Sequence, residues 1–320
     1  MKIGIDVGGT NLAAGLVNDC GEIIFKEQCR TKADEGYEAV VSRITALAKS
    51  LIHSFNEQNA FTSESLKNVG IGIPGIISKD GKIVVSCPNL FWQNKPLKAD
   101  LEEALLFPVH LSNDATVAGI AENRFGSTKG YDNAVMFTLG TGVGGAVILD
   151  GKVINGAHGV ASEFGHMFVG KNDYDCNCGK NGCLETFSSA TAIIRLARKL
   201  VIEGQKTDIL DRAEGCLNTI DAEMVINAAK AGDRVGVLCF NSLIEHLSIA
   251  IANIGDILDP EIVTIGGGVA NAGDFLRTRL MEAVYPKMTF KQIAVPEIVL
   301  ATLKNDAGIV GAACIGEYLK

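Results

Sequence analysis

The chain has 320 residues, 47% of them hydrophobic and 21% charged, with a formal net charge of −8. This balance excludes a disordered chain, and the length suffices for one large domain or two ordinary ones without disulfide staples. The acidic charge disfavours nucleic acid and anionic membrane as partners, since both require a basic footprint.

The N-terminal segment from Lys2 to Glu27 reads as a strand, a Gly-Gly-Thr turn at Gly8, Gly9 and Thr10, a second apolar strand, an Asp-Cys-Gly turn and a third strand. It lacks the long apolar stretch of a signal peptide. No run of about 18 apolar residues escapes interruption by Gly or charge, so a cytoplasmic protein with no membrane span is expected. A helical stretch follows from Tyr37 to Phe55, then a strand ending in glycines, NVGIGIPG, from Asn68 to Gly75. The apolar residues 109–111 lead into Ser-Asn-Asp and the start of a helix. Asp114 there reads either as a helix N-cap or as a functional carboxylate. Asn113 beside it favours the second reading, because an Asn–Asp pair at a strand end can hold two hydroxyls and orient one.

The segment from Ala134 to Ala157 repeats the opening order of strand, Gly-Thr-Gly turn, strand, Asp-Gly turn and short strand. A helix from Asn241 to Leu258 follows later, apolar at 243, 247, 250, 254 and 258, and then a strand, EIVTIGGG, from Glu261 to Gly268. The same order of features in both halves predicts an internal duplication. Residues 140–145 match GxGxxG, but a strand follows them instead of a helix, so a dinucleotide fold is excluded on context. No GxxxxGK[ST] phosphate loop is present.

A duplicated meander with glycine turns predicts two similar halves holding ATP in a cleft. Backbone N–H groups of Gly8, Gly9 and Thr10, with Asn11 after them, would cradle phosphate, as would those of Gly140, Thr141 and Gly142. Asp6, just before the first turn, is the candidate for holding Mg²⁺. Gly267 and Gly268 close a buried strand and suit nucleotide contact, although a tight strand-to-helix turn explains them as well. Asp114 is the candidate base for phosphoryl transfer to an alcohol.

Between positions 163 and 185 the chain reads EFGHMFVGKNDYDCNCGKNGCLE. His166, Cys176, Cys178 and Cys183 supply one imidazole and three thiolates, the donor set of a closed, structural Zn²⁺ site. The other six of the nine cysteines are scattered, as in a reducing compartment. A zinc scaffold would pin Glu163 and Glu185 at the two ends of the loop, where both carboxylates can accept hydrogen bonds from sugar hydroxyls.

The motifs DVGGT at 6–10, GIGIPG at 70–75, ND at 113–114, LGTGVGG at 139–145, EFGH at 163–166 and CNCGKNGCLE at 176–185 resemble those of the ROK family of sugar kinases, over nearly the whole chain. The resemblance implies an α/β fold of the actin-like ATPase (hexokinase-type) class with a zinc-bound loop. It implies a smaller domain of residues 1–115 closed by a C-terminal helix at 305–320, and a larger domain of residues 116–304. It implies that Asp114 acts on the sugar 6-hydroxyl, that Asn89, Asn113, Glu163, His166 and Glu185 contact the sugar, and that His166 serves zinc through its other ring nitrogen. ATP, Mg²⁺ and structural Zn²⁺ are the implied cofactors, and a homodimer or homotetramer the implied assembly. The run NLFWQNKPL at 89–97 is similar to the glucokinases of the family, with N-acetylmannosamine or N-acetylglucosamine kinase as the alternative. Thr116, where Asn is common, and Ser162, where Gly or Ala is common, depart from the pattern. The family also includes sugar-responsive repressors with a helix-turn-helix ahead of the phosphate strand; here that strand starts at residue 3, and a repressor is not expected. A sugar-binding protein without activity is disfavoured by Asp6, Thr10 and Asp114.

Overall fold

The computed structural model describes residues 1–58 and 65–318. They form two compact units: described residues within 1–58, 65–132, 146–162 and 302–318 make the first, and residues 133–145 and 163–301 the second.

The first unit is built on a five-stranded sheet of order β3-β2-β1-β4-β8, with β1 Lys2–Val7, β2 Asn11–Val17, β3 Ile23–Arg30, β4 Val69–Ile73 and β8 Val109–Asn113. The first three strands form an antiparallel meander, and β4 runs parallel to both β1 and β8. On one face lies α1 (Tyr37–Gln58), whose Val40, Ile44, Leu47, Ala48, Leu51 and Phe55 recur at helical spacing and are buried. Each such aliphatic side chain contributes about 1.5–3 kcal/mol by leaving water. On the other face lies α10 (Ala307–Tyr318), and here the sheet carries glycines. A Cβ on Gly4 would overlap the Ile309 carbonyl, and one on Gly70 the Ala312 carbonyl. Gly311 in turn admits α3 (Asp114–Phe125), whose Val117 carbonyl a Cβ would strike. Helix and sheet therefore meet backbone to backbone. Only residues 319–320 of the expected C-terminal helix lie outside the described residues. A small sheet of order β5-β6-β7 (Ile76–Ile77, Val84–Cys87, Trp92–Lys95) presents its hairpin tip, Pro88–Leu90, beside the Gly8–Thr10 turn, and α2 (Leu97–Leu105) follows it.

The second sheet has the order β11-β10-β9-β12-β13, the same arrangement as the first, with β9 Ala134–Leu139, β10 Val143–Leu149, β11 Lys152–Val153, β12 Ile262–Gly266 and β13 Glu297–Leu300. As β4 does in the first sheet, β12 runs parallel to both its neighbours. The predicted duplication is thus present strand for strand.

The second unit carries α4 (Glu185–Ser188), α5 (Ala190–Ile202), α6 (Ile209–Arg212), α7 (Ala222–Lys230), α8 (Arg234–Leu258) and α9 (Asp274–Val284). Helix α8 begins seven residues before the sequence pattern places it, because Asp233 caps it by accepting from Gly236 N at 2.9 Å. By length and composition alone it could cross a membrane, although Gly236, Glu245, Gly255 and Asp256 interrupt its apolar run. Its apolar residues, among them Leu243, Leu247, Ala250 and Ile251, are instead buried, with α5, α7 and α9 packed against it, as befits a core helix.

Candidate functional site

In the first unit the site residues gather at the carboxyl ends of β1 and β8. Asp6 is the penultimate residue of β1, and after Val7 the chain turns through Gly8, Gly9 and Thr10 into β2 at Asn11. Gly8 N donates to Asn11 O at 2.9 Å, closing the turn. Thr31 braces it from β3's end: its Oγ1 donates to Gly8 O at 2.6 Å and its N to Thr10 O at 2.9 Å. Gly9 and Thr10 stay exposed, so their amides remain open to a ligand. A Cβ on Gly9 would stand 3.4 Å from that of Asn89, which places Asn89, exposed on the hairpin tip, next to the turn.

Asn113, not Asp114, is the N-cap of α3: its Oδ1 accepts from Ala115 N at 2.9 Å and Thr116 N at 3.2 Å. Its Nδ2 donates to Gly75 O at 3.2 Å, and the side chain also hydrogen-bonds the Asp114 carboxylate. Asp114 is the first residue of the helix, with Oδ1 accepting from Ala115 N at 2.8 Å. Burial pushes its carboxyl above the usual range, although the helix N–H groups oppose the shift. Asp6 is pushed up to about 6 by burial and then by the Asp114 charge. The two carboxylates are therefore near enough for the charge of one to raise the other, and Asp6 lies beside a turn of exposed backbone donors. That combination suits a bound cation next to phosphate, with Asp6 as its ligand.

In the second unit, Gly140 N donates to Gly142 O at 3.0 Å, and Gly140 O accepts from Ala190 N at the start of α5. A Cβ on Gly140 or Gly268 would meet nothing within 4 Å, so packing does not demand glycine there. Gly267 differs: its φ of +81° and a Cβ contact of 2.5 Å with Leu139 O require it for the fold. Thr141 is exposed at the tip of the turn.

The zinc loop has the expected geometry. The ligand atoms of His166, Cys176, Cys178 and Cys183 all lie within 4.8 Å of one another. The Cys178 and Cys183 sulfurs are 3.6 Å apart, as are Cys176 Sγ and His166 Nδ1. A tetrahedron of about 2.3 Å metal–sulfur bonds has edges of about 3.8 Å, so the donor set fits Zn²⁺. Two glycine turns, at Gly179 (φ +85°) and Gly182 (φ +89°), fold the loop on itself. His166 turns Nδ1 to the cysteines and Nε2 toward Glu163 Oε2, 4.0 Å away. Cys176 Sγ donates to Glu185 Oε1 at 3.0 Å, and burial followed by this carboxylate holds the thiol high. Glu185 also reaches the Gly140–Gly142 turn, since a Cβ on Gly142 would stand 2.7 Å from its Oε2. Ser162 is strained, with φ of 67°, and its Oγ is buried with no hydrogen-bond partner. Thr31, Gly308 and Asn172, which brace these groups, belong to no motif, and no local pattern in the sequence marks them.

These observations can be set beside known proteins. A glucokinase from Thermotoga maritima is 37% identical over 98% of this chain and 96% of its own length. A xylose repressor from Caldicellulosiruptor bescii is 32% identical over 97% of this chain and 76% of its own length. The crystal structure of a ROK family glucokinase from Streptomyces griseus in complex with glucose and AMPPNP superposes with a TM-score of 0.81 at 31% identity, covering 98% of this chain and 97% of that one. The ROK family model matches residues 2–317, and with this full-length similarity the chain belongs to the ROK family.

Proposed function

We propose that the protein is an ATP-dependent hexose kinase that phosphorylates the 6-hydroxyl of glucose. The observation that carries this reading is the placement of Asp114: a buried-side carboxylate of raised pKa at the head of α3, beside Asp6 and the Gly8–Thr10 turn. The full-length similarity to glucokinases supports glucose as the acceptor.

In this reading Asn89, Asn113, Glu163, His166 Nε2 and Glu185 bind sugar hydroxyls, and Asp114 accepts the proton of the attacking one. The amides of Gly8–Thr10 and Gly140–Gly142, with Asn11, Thr141, Gly267 and Gly268, hold the nucleotide. Asp6 would hold Mg²⁺, which when bound neutralises charge on the phosphates. His166, Cys176, Cys178 and Cys183 would hold Zn²⁺, which supplies rigidity and leaves no open coordination position for chemistry. The nine free cysteines fit a reducing, cytoplasmic setting.

The test is a coupled ADP-release assay with Mg-ATP against glucose, mannose, allose, fructose, N-acetylglucosamine and N-acetylmannosamine. A strong preference for glucose supports the proposal. Preference for an N-acetylated sugar keeps the chemistry and moves the acceptor, with Ser162 as the first residue to exchange. No turnover by zinc-replete protein on any sugar refutes the kinase reading and favours a sugar-responsive binding protein.

A further inference from the structure

Helix α4 is only four residues long, too short to hold its own position by helical cooperativity. Its first residue is Glu185, and each of the other three side chains is tied to something else. Thr186 Oγ1 donates to Cys183 O at 2.7 Å. The Phe187 ring stacks on His246 of α8 with centroids 3.7 Å apart. Ser188 Oγ donates to Leu243 O, also of α8, at 3.0 Å.

The tie to the cysteine loop runs through Asn172. Its Nδ2 donates to Thr186 O at 2.9 Å and to Thr186 Oγ1 at 3.1 Å. Its backbone N donates to Asn181 Oδ1 at 2.9 Å, and Asn181 Nδ2 returns to Asn172 O at 2.8 Å and to Asp175 Oδ1 at 2.9 Å. Asn181 sits between Cys178 and Cys183 in sequence, so Asn172 bonds the cysteine hairpin on one side and the helix bearing Glu185 on the other.

We infer that Asn172 is a positioning residue for acceptor binding: it locks α4 to the cysteine hairpin and so aims the Glu185 carboxylate. The position calls for a side-chain amide, because two donors must meet the carbonyl and hydroxyl of Thr186; a carboxylate would set oxygen against oxygen. The inference rests on the reading of Glu185 as a sugar contact.

Asn172→Asp, made in the full-length zinc-loaded protein, tests it. The variant is nearly isosteric and keeps the Oδ1 acceptor for Tyr174 N. The sugar KM is expected to rise about 10-fold or more, with kcat changed less than about 3-fold and the ATP KM and zinc content unchanged. Amide hydrogen exchange at residues 185–188 is expected to accelerate. Wild-type sugar KM and exchange in the variant would overturn the inference. So would loss of zinc with the sugar KM restored by added zinc, since Asn172 would then serve the metal loop alone. Should Asn172→Asp fail to fold, Asn172→Ala removes both side-chain donations to Thr186 while leaving the backbone pairing with Asn181, and is read by the same two measurements. If the wild-type protein phosphorylates no hexose, the functional reading fails on its own, and exchange at residues 185–188 still decides the clamp.

Discussion

Gly308, the second residue of α10, lies directly on the side chain of Asp6: a Cβ built there would stand 2.5 Å from the carboxylate Oδ2. The carboxylate is thereby enclosed by the helix on one side, and Asp114 adds like charge. Its folded-state pKa of about 6 lies above the ordinary 3.8. A raised carboxyl favours folding fully below the unfolded value, and this contribution is lost as pH rises through the folded one. At neutral pH and without a cation, Asp6 therefore destabilises the fold. Asp6→Asn is expected to raise stability at pH 7.5 by about 1–3 kcal/mol, to flatten the dependence between about pH 4 and 6, and to abolish turnover. Denaturant unfolding of the two proteins across that range checks it; equal stabilities at pH 7.5 would refute the account.

Burial raises Asp114 as well. A base must be ionised to accept a proton, so kcat/KM for the sugar should climb with pH along a limb placed above the usual carboxylate range. Asp114→Ala should cost at least about 10²–10⁴-fold in kcat while sugar binding, read by calorimetry, stays largely intact. A variant with full activity would remove Asp114 from the mechanism.

The 3.6 Å Cys178–Cys183 separation is short enough for both sulfurs to bind one metal ion. Metal analysis is expected to find one zinc per chain. Cys178→Ser should weaken zinc retention by about 10-fold or more, lower Tm and raise the sugar KM. Tight sugar binding by the metal-free protein would argue that the loop needs no scaffold.

Two glycines of different purpose separate packing from binding. Gly70→Ala drives a methyl into the Ala312 carbonyl and should cost about 3 kcal/mol or more of stability. Gly140→Ala meets open space, so Tm should hold while the ATP KM rises by about 10-fold. Unfolding curves and ATP titrations of both variants check the contrast, and an unchanged ATP KM in Gly140→Ala would take that turn out of the nucleotide site.

What the sequence by itself determined is what short-range spacing encodes. The Gly8–Thr10 and Gly140–Gly142 turns, the four candidate metal ligands between 166 and 183 and the repeated strand order are all written in neighbouring residues, because a tight turn and a chelate loop are local geometries. The ambiguity at Asn113 and Asp114 was local too, but only the backbone at the head of α3 showed that Asn113 is the residue that caps the helix. The first two turns of α8 were missed because Gly236 falls on the buried stripe there, where a helix former would mark it. The braces were decided by tertiary structure alone: Gly308 on Asp6, Thr31 on Gly8 and the glycines that let α10 meet the sheet. Asn172 on Thr186 is of the same kind, joining an irregular loop to a short helix. Such contacts join residues through packing instead of periodicity, so nothing in the neighbouring sequence announces them, although they hold the carboxylates and amides in place.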